Sequence, residues 1–192
     1  MRCRLVGGAL QVAVAACSSN GITDPPPNTR SQEAAVRQDG TLGPPDSATN
    51  AFSYSPDAPV GARLTAEILV TGDATNVQFT AAGLLPNRGY AVHAHTKPCG
   101  KTGDDAGPHF QNRVDPQEPS VDPTYANPDN EIWLDLRTDD QGTGQARTSV
   151  PFTLSERAPG SFVVHEQPTT STGPGEAGIA GGRVACLTLR QR

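Results

Sequence analysis

The sequence predicts an all-β domain in which antiparallel strands form a Greek-key sandwich or barrel of immunoglobulin-like architecture. Three observations support this prediction. Short apolar or β-branched stretches alternate with turns, and no stretch makes a convincing helix. Glycine and proline are numerous, with 20 and 18 residues among 192. Hydrophobic residues make up 35% of the chain and aromatic residues 5%, which favours a small domain with many turns over a helical protein.

Seven strands are predicted, and each is a largely apolar or alternating run that ends at a turn. They are Ala62–Thr71, Asn76–Leu84, the segment around His93 and His95, Glu131–Thr138, Thr143–Phe152, Ser161–Glu166 and Arg183–Leu189. The first three are expected to form a meander because short turns separate them. The fourth and fifth are expected to pair as a hairpin across the turn D-D-Q-G. The loop over 97–130 contains six prolines, and loops of this length are usually functional or disordered.

The first 59 residues differ from the rest in composition. Residues 1–17 begin with a positive charge, continue with a mostly apolar run and end in V-A-A-C, which resembles a bacterial lipoprotein signal with Cys17 as the lipidated residue. An ordinary secretory signal that is cleaved nearby is the alternative. Residues 18–59 are rich in proline and lack apolar periodicity, which predicts a disordered tether. The folded domain is therefore expected to span 60–192 of an exported protein.

The charge and the hydropathy of the chain argue against nucleic-acid binding and against a membrane-spanning segment. The net charge of −5 at pH 7 argues against a nucleic-acid-binding protein. No stretch approaches the roughly 20 apolar residues of a membrane span. A lipid on Cys17 is therefore the one membrane attachment that we expect.

All four histidines of the chain lie in two short segments that could converge. His93 and His95 form an H-x-H pair in a predicted strand, where alternate side chains leave the same face about 7 Å apart. His109 follows after a loop rich in glycine, proline and aspartate, and His165 lies in the predicted strand S-F-V-V-H-E. Two imidazoles on one face can bind a single metal ion, although an H-x-H pair alone is weak evidence for a metal site.

The four motifs H-A-H, A-G-P-H-F, V-V-H-E and G-G-R-V-A-C, in this order, resemble those of the copper/zinc superoxide dismutases over about residues 62–190. The resemblance implies four copper ligands, a substrate-guiding arginine and one disulfide bond. The ligands would be His93, His95, His109 and His165, the arginine Arg183, and the disulfide Cys99–Cys186. In that family the residue that matches His109 bridges copper to zinc, then releases copper and takes a proton when copper is reduced. A homodimer is also compatible with the resemblance.

The chain departs from the family at the zinc site. No histidine lies between His109 and His165, so two zinc ligands of the family are missing. Acidic and amide residues stand in this region instead: Asn112, Asp115, Asp122, Asn127, Asp129 and Glu131. The segment Q-P-T-T after His165 also lacks the aspartate that links the two metal sites in the family. The pattern is similar to copper-only members of the superfamily and argues against zinc as a cofactor.

Without zinc, the ring nitrogen of His109 that does not bind copper needs another hydrogen-bond partner, which would set the orientation of the ring. Glu131 is the first candidate, and Asp135 is the second. The leading hypothesis is an exported, copper-dependent superoxide dismutase that converts superoxide to O2 and H2O2. The alternative is a copper-binding or copper-buffering protein that keeps the fold and the histidines but has lost turnover.

Overall fold

The computed structural model of the chain describes residues 36–190. The predictions for the signal 1–17, for Cys17 and for residues 18–35 lie outside the described residues. Ten strands form the framework, and their bounds are as follows: β1 Val36–Thr41, β2 Ala51–Ser53, β3 Arg63–Thr71, β4 Ala74–Ala82, β5 Gly89–Tyr90, β6 Val92–His95, β7 Leu136–Arg137, β8 Gly144–Val150, β9 Ser161–His165 and β10 Arg183–Thr188. One short 3-10 helix, Gly103–Ala106, interrupts the long loop after β6.

Two four-stranded antiparallel sheets pack face to face. The first has the strand order β1-β3-β4-β8 and the second the order β2-β10-β9-β6, while β5 and β7 form a small separate pair. This arrangement confirms the predicted all-β, antiparallel architecture. Within residues 36–190, no helix has the length and apolar character that crossing a membrane requires.

The core lies between the two sheets and follows from the alternation along the strands. On β4, every second residue from Val77 through Phe79 to Ala81 is buried, and the residues between them are less buried. Phe79 meets Phe162 of the opposite sheet with ring centroids 5.7 Å apart. Burial of a large apolar side chain of this kind contributes about 1.5–3 kcal/mol to stability.

The second sheet is buried on both faces, which distinguishes it from the first. Every residue of β9 is buried, and β6 is buried along its whole length. The inward residues of β6, Val92 and Ala94, belong to the main core. Because side chains alternate along a strand, His93 and His95 must point to the outer face. The long loops cover this face, which becomes the floor of the candidate site.

Two predictions about strand pairing are wrong. The strand that contains His93 and His95 does not complete a meander, because β6 pairs with β9 in the second sheet. Residues 131–138 do not form a hairpin with β8 either, because β8 pairs with β4. They run instead beside residues 88–94, with backbone hydrogen bonds from Ala94 to Ile132 and from Leu134 to Val92. Short turns favoured local pairing, but β6 and β9 are buried on both faces and lie side by side between the core and the loops that cover the second sheet.

The predicted tether is also too long, because residues 36–59 belong to the domain. β1 pairs with β3, and β2 pairs with β10. Leu42, Ala51, Phe52 and Ala58 are buried in these segments. This part of the domain was hard to recognise because β2 has three residues and β1 is mostly polar, so neither shows an apolar period.

The predicted disulfide is confirmed. Cys99 and Cys186 are joined, with their Cα atoms 5.8 Å apart and a sequence separation of 87. The bond ties the loop after β6 to the middle of β10. Tyr54, which follows β2, donates a hydrogen bond from its hydroxyl to the carbonyl of Gly100 in the same loop. The loop is therefore fixed at two adjacent points.

Candidate metal centre

The four histidines converge on the outer face of the second sheet. His93 and His95 come from β6, and His165 ends the neighbouring strand β9. His109 comes from the loop and is held there because Phe110 donates a backbone hydrogen bond to Ala94. One ligand atom from each ring lies within 4.8 Å of all the others. This is the one group of three or more histidine, cysteine or carboxylate side chains in residues 36–190 that is arranged to hold a metal ion.

Two short contacts cross the centre of this cluster. His93 Nδ1 lies 2.9 Å from His109 Nε2, and His95 Nε2 lies 3.3 Å from His165 Nε2. Each ring also turns its second nitrogen outward to an oxygen atom. These outer contacts are His93 Nε2 to Thr170 Oγ1 at 2.7 Å, His95 Nδ1 to the Gly107 carbonyl at 2.8 Å, His109 Nδ1 to Glu131 Oε2 at 2.8 Å and His165 Nδ1 to the Gly181 carbonyl at 3.3 Å.

The outer oxygens decide the tautomers of three rings. A carbonyl or an ionised carboxylate can only accept a hydrogen bond, so the outer nitrogen of His95, His109 and His165 carries the proton. The inner Nε2 of each of these rings is therefore a free lone pair. Lone pairs that face each other repel unless a cation lies between them. The geometry is that of a site for a positive ion.

A proton is a poor candidate for that ion. Burial, followed by the nearby charge of His109 when it is protonated, lowers the pKa of His93 and of His95 well below the usual value. The same two causes lower the pKa of His165 to about 3. The three rings are therefore neutral near pH 7, which is the form that binds metals. An all-imidazole donor set suits copper, zinc, iron and nickel.

Among the loop residues that might have rebuilt a second metal site, Glu131 contacts His109, and Asp115 and Asp122 have other partners. Asp115 accepts hydrogen bonds from the Gln117 backbone and the Ser120 hydroxyl, and Asp122 accepts one from the Thr124 backbone. These side chains stabilise turns of the loop. The outer nitrogen of His109, where a second ion would bind, is taken by Glu131. The residues described here therefore do not fit a zinc ion beside the histidine cluster.

Glu131 lies where the sequence analysis placed it, against His109. It is buried, with a relative exposure of 1%, and it accepts three hydrogen bonds. His109 Nδ1 and Trp133 Nε1 both donate to Oε2, at 2.8 and 2.7 Å, and Gln111 Nε2 donates to Oε1 at 2.8 Å. All three donors are neutral when His109 is neutral. The carboxylate is thus held by hydrogen bonds rather than by a buried cation.

Asp135 does not contact His109, so its assignment as the second candidate partner is wrong. Its carboxylate accepts two hydrogen bonds from Thr170, which in turn contacts His93. The sequence analysis did not identify Thr170 because the resemblance implies a carboxylate after His165, and Q-P-T-T contains none. Gln111 and Trp133 were missed as well. Their one signal is position, since each lies two residues after a site residue and so leaves an extended backbone on the same side.

Arg183 lies beside the histidines, as the first residue of β10. It is the antiparallel partner of His165 in the ladder between β9 and β10. Its side chain is partly buried and donates a hydrogen bond from Nη1 to the Gly103 carbonyl at 2.8 Å. Gly103 belongs to the loop that the disulfide and Tyr54 hold in place. The guanidinium is therefore positioned by the same loop that leads to His109.

An open cleft of about 570 Å³ connects Arg183 with His109. His93, His95 and His165 are buried, but the side chain of His109 keeps 19% of its surface exposed. The cleft continues past Glu131 to the loop residues Val114 and Ser120. Small molecules can thus reach the cluster from the side of His109, and they pass a fixed positive charge on the way.

Comparison with known proteins finds similar structures but no similar sequence. No protein-family model matches the chain, and no curated protein matches it either. Among solved structures, a Cu/Zn superoxide dismutase from Brucella abortus superposes with a TM-score of 0.56 at 16% identity, covering 82% of this chain and 100% of that one. The fold is that of the copper/zinc superoxide dismutases.

A second solved structure leads to the same conclusion about the fold. It is a SOD-like protein from Bacillus subtilis in which a tyrosine and a proline were replaced by histidine. The TM-score is 0.54 at 17% identity, and the match covers 82% of this chain and 97% of that one. At these identities the comparisons establish the superoxide dismutase fold, and the activity of this chain has to be argued from its own residues.

Proposed function

We propose that the protein is an exported, copper-dependent superoxide dismutase of the copper-only kind. The observation that carries the proposal is the centre itself: three buried, neutral imidazoles with inward lone pairs, next to one partly exposed imidazole in a cleft that Arg183 also lines. When bound, copper would supply the reversible one-electron couple by which two superoxide anions and two protons become O2 and H2O2. The ligands would be His93, His95, His109 and His165.

His109 is the residue best suited to handle the proton. It is the one ring of the four that reaches the cleft, and its Nδ1–H is held by the carboxylate of Glu131. The other three outer nitrogens face neutral oxygens. A carboxylate partner fixes the orientation of the imidazole and keeps the proton of its outer nitrogen in place. Nε2 of His109 can therefore take up a proton while Nδ1–H stays on Glu131.

Arg183 would attract and orient the anionic substrate. Its guanidinium stays charged at all relevant pH values and offers several donors to an anion. The protein as a whole has a net charge of −5 and repels anions, so the positive charge of Arg183 has to attract the substrate against this repulsion. Lys101 contributes less than its charge suggests, because it is exposed and lies 3.7 Å from Asp46.

We also propose that the protein works without zinc and outside the cytoplasm. Glu131 would replace the zinc ion as the group that orients His109. Export is supported by the Cys99–Cys186 disulfide, since such bonds persist in oxidising compartments. It is also supported by the apolar segment that ends at Cys17, which would carry the lipid anchor. A homodimer remains compatible with this assignment.

The proposal is tested by loading the purified chain with copper and zinc together, removing loosely bound ions by dialysis, and measuring metal content beside superoxide consumption. We expect about one copper and well under one zinc per chain, and a rate far above that of buffer. His165→Ala should remove most of the activity and weaken copper binding. Stoichiometric zinc that is lost in Glu131→Ala would refute the copper-only part of the proposal.

The same assay decides between the enzyme and its alternative. A non-catalytic copper-binding protein would bind copper in the same centre, and the burial of three of the four ligands favours such a role because it slows exchange with solvent. Copper-loaded protein that consumes superoxide no faster than buffer would support this alternative. Retention of Arg183 beside the cleft favours the enzyme, since copper storage has no use for an anion-binding group.

A further inference from the structure

His93 differs from the other three histidines in what it contacts on both sides. Its inner Nδ1 lies 2.9 Å from His109 Nε2, and its outer Nε2 lies 2.7 Å from the hydroxyl of Thr170. A hydroxyl can donate or accept, so this contact alone leaves the proton of His93 free to occupy either nitrogen. A proton on Nδ1 would form a hydrogen bond to the lone pair of His109 and would close the centre to a metal ion.

Asp135 removes this ambiguity. Its Oδ1 lies 2.7 Å from the Thr170 hydroxyl, and its Oδ2 accepts the Thr170 backbone N–H at 2.8 Å. An ionised carboxylate has no proton to give, so the single hydroxyl proton of Thr170 must point to Asp135. The oxygen then presents a lone pair to His93, and His93 must carry its proton on Nε2. The inner Nδ1 is left as a lone pair.

The surroundings of Thr170 make this arrangement specific. Thr170 is 9% exposed, and it belongs to the loop between β9 and β10. Asp135 lies on the segment that runs beside β6, and its two contacts join that segment to the loop. Trp133, from the same segment, packs on His93 with ring centroids 5.7 Å apart. The ring plane and the proton position of His93 are therefore both determined by this pair of segments.

We propose that Thr170 and Asp135 are positioning residues that fix His93 as a metal ligand through its Nδ1 atom. This inference rests on the metal centre proposed above. Neither residue would touch the metal ion or the substrate. Their role is to hold the proton of His93 on the outer side, so that four inner lone pairs, instead of three and a hydrogen bond, face the ion.

The test uses the full-length chain and Cu(II) as the probe. Affinity is measured by competition with a chelator, and the electron paramagnetic resonance spectrum of the bound ion reports the donor set independently of turnover. Thr170→Val keeps the shape of the side chain but removes the hydroxyl, and we expect about 10–100-fold weaker binding with an altered spectrum. Thr170→Ser restores the hydroxyl and should restore both. In Asp135→Asn an amide can donate to Thr170, turn its proton toward His93 and weaken binding.

The matched control is Thr75→Val. Thr75 is also buried and donates its hydroxyl to the Phe152 carbonyl at 2.7 Å, but it lies at the start of β4 in the other sheet. This variant should lose stability and keep the copper affinity and spectrum of the wild type. A loss of copper binding in both threonine variants would show that general loosening of the domain, not the proton position of His93, is responsible.

Wild-type affinity and spectrum in Thr170→Val would overturn the inference. If Thr170→Val fails to fold by circular dichroism, Asp135→Asn decides, because Asp135 is exposed and its amide has nearly the same shape. Copper binding that depends on Thr170 in a protein that does not consume superoxide would refute the proposed enzyme and leave this inference intact. A wild-type chain that does not bind copper would overturn both.

Discussion

Glu131→Gln changes the charge and the hydrogen-bonding groups of a buried side chain in the centre while keeping the shape of that side chain. Glu131 accepts hydrogen bonds from His109 and Trp133 at one oxygen and from Gln111 at the other. Glutamine has one oxygen and one N–H2 group, so one of these three donors must face another donor. If the oxygen stays on the side of His109, the amide nitrogen meets the amide nitrogen of Gln111.

The size of the effect follows from the hydrogen bonds that are lost. Gln111 can relieve the clash by flipping its amide, but then it loses its bonds to the Ser120 hydroxyl and from the Asp115 backbone N–H. A hydrogen bond to a charged group contributes about 1.5–3 kcal/mol. A loss of this size in metal binding corresponds to about a 10–100-fold increase in the dissociation constant for copper. A loss in stability lowers the unfolding temperature by about 2–4 °C for each kcal/mol.

The assay compares Glu131→Gln with Glu67→Gln. Glu67 is a partly exposed carboxylate on β3 that pairs with Arg37, so its replacement makes the same change of charge away from the centre. Copper affinity, superoxide consumption and unfolding temperature are measured for both variants. Glu67→Gln should match the wild type within about 0.5 kcal/mol. If Glu131→Gln also matches the wild type in all three, Glu131 does not orient His109 and the reasoning above is wrong.

Three further predictions concern the approach of substrate, the long loop and acid. Arg183→Glu should slow superoxide consumption and flatten or reverse its dependence on ionic strength, because a local attraction becomes a repulsion. Removing the bond between Cys99 and Cys186 should destabilise the domain by about 4–5 kcal/mol and weaken copper binding, because the bond closes a loop of nearly 90 residues. The metal-free protein should lose stability as the pH falls from about 6.5 towards 3, since burial lowers the pKa of His165 to about 3 and the unfolded chain is protonated first.

Each of these predictions has a control or a result that would contradict it. Arg147→Glu changes the net charge as Arg183→Glu does but lies on β8, away from the cleft, and it should leave the rate nearly unchanged. For the disulfide, equal copper affinity in the oxidised and reduced protein would show that the loop does not depend on the bond. For the effect of acid, urea unfolding at pH 7 and pH 5 shows directly whether the free energy of unfolding falls with pH. Stability that is equal at the two values, or greater at pH 5, would contradict the burial of neutral imidazoles.

The strands that could be predicted are those that carry their own pattern. β3, β4 and β8 have one buried and one more exposed face, so alternation marks them in the sequence. β9 and β10 are short apolar runs between turns. β1, β2 and β5 were missed because a strand of two or three residues, or one rich in polar residues, has no period to detect. Their pairing partners lie far along the chain, and only the assembled sheets supply the missing hydrogen bonds.

The sequence by itself determined which groups can perform chemistry here. Four histidines, one arginine and two cysteines occur in the motifs that predicted the histidine cluster, and the long loop has no histidine after His109 that could form a second imidazole site. Glu131 was the first candidate for the partner of His109 because it opens the predicted strand just after the long loop, and Asp135 was the second.

Only the tertiary structure decided how these groups are oriented. Whether His93 offers a lone pair or a proton depends on Thr170, and the proton of Thr170 depends on Asp135, 35 residues earlier in the chain. No local pattern records such a relation, because hydrogen-bond direction is set by all the partners that meet at one point. The sequence provides the donors and acceptors, and the packing of β6, the segment beside it and the loop after β9 determines which of them donates.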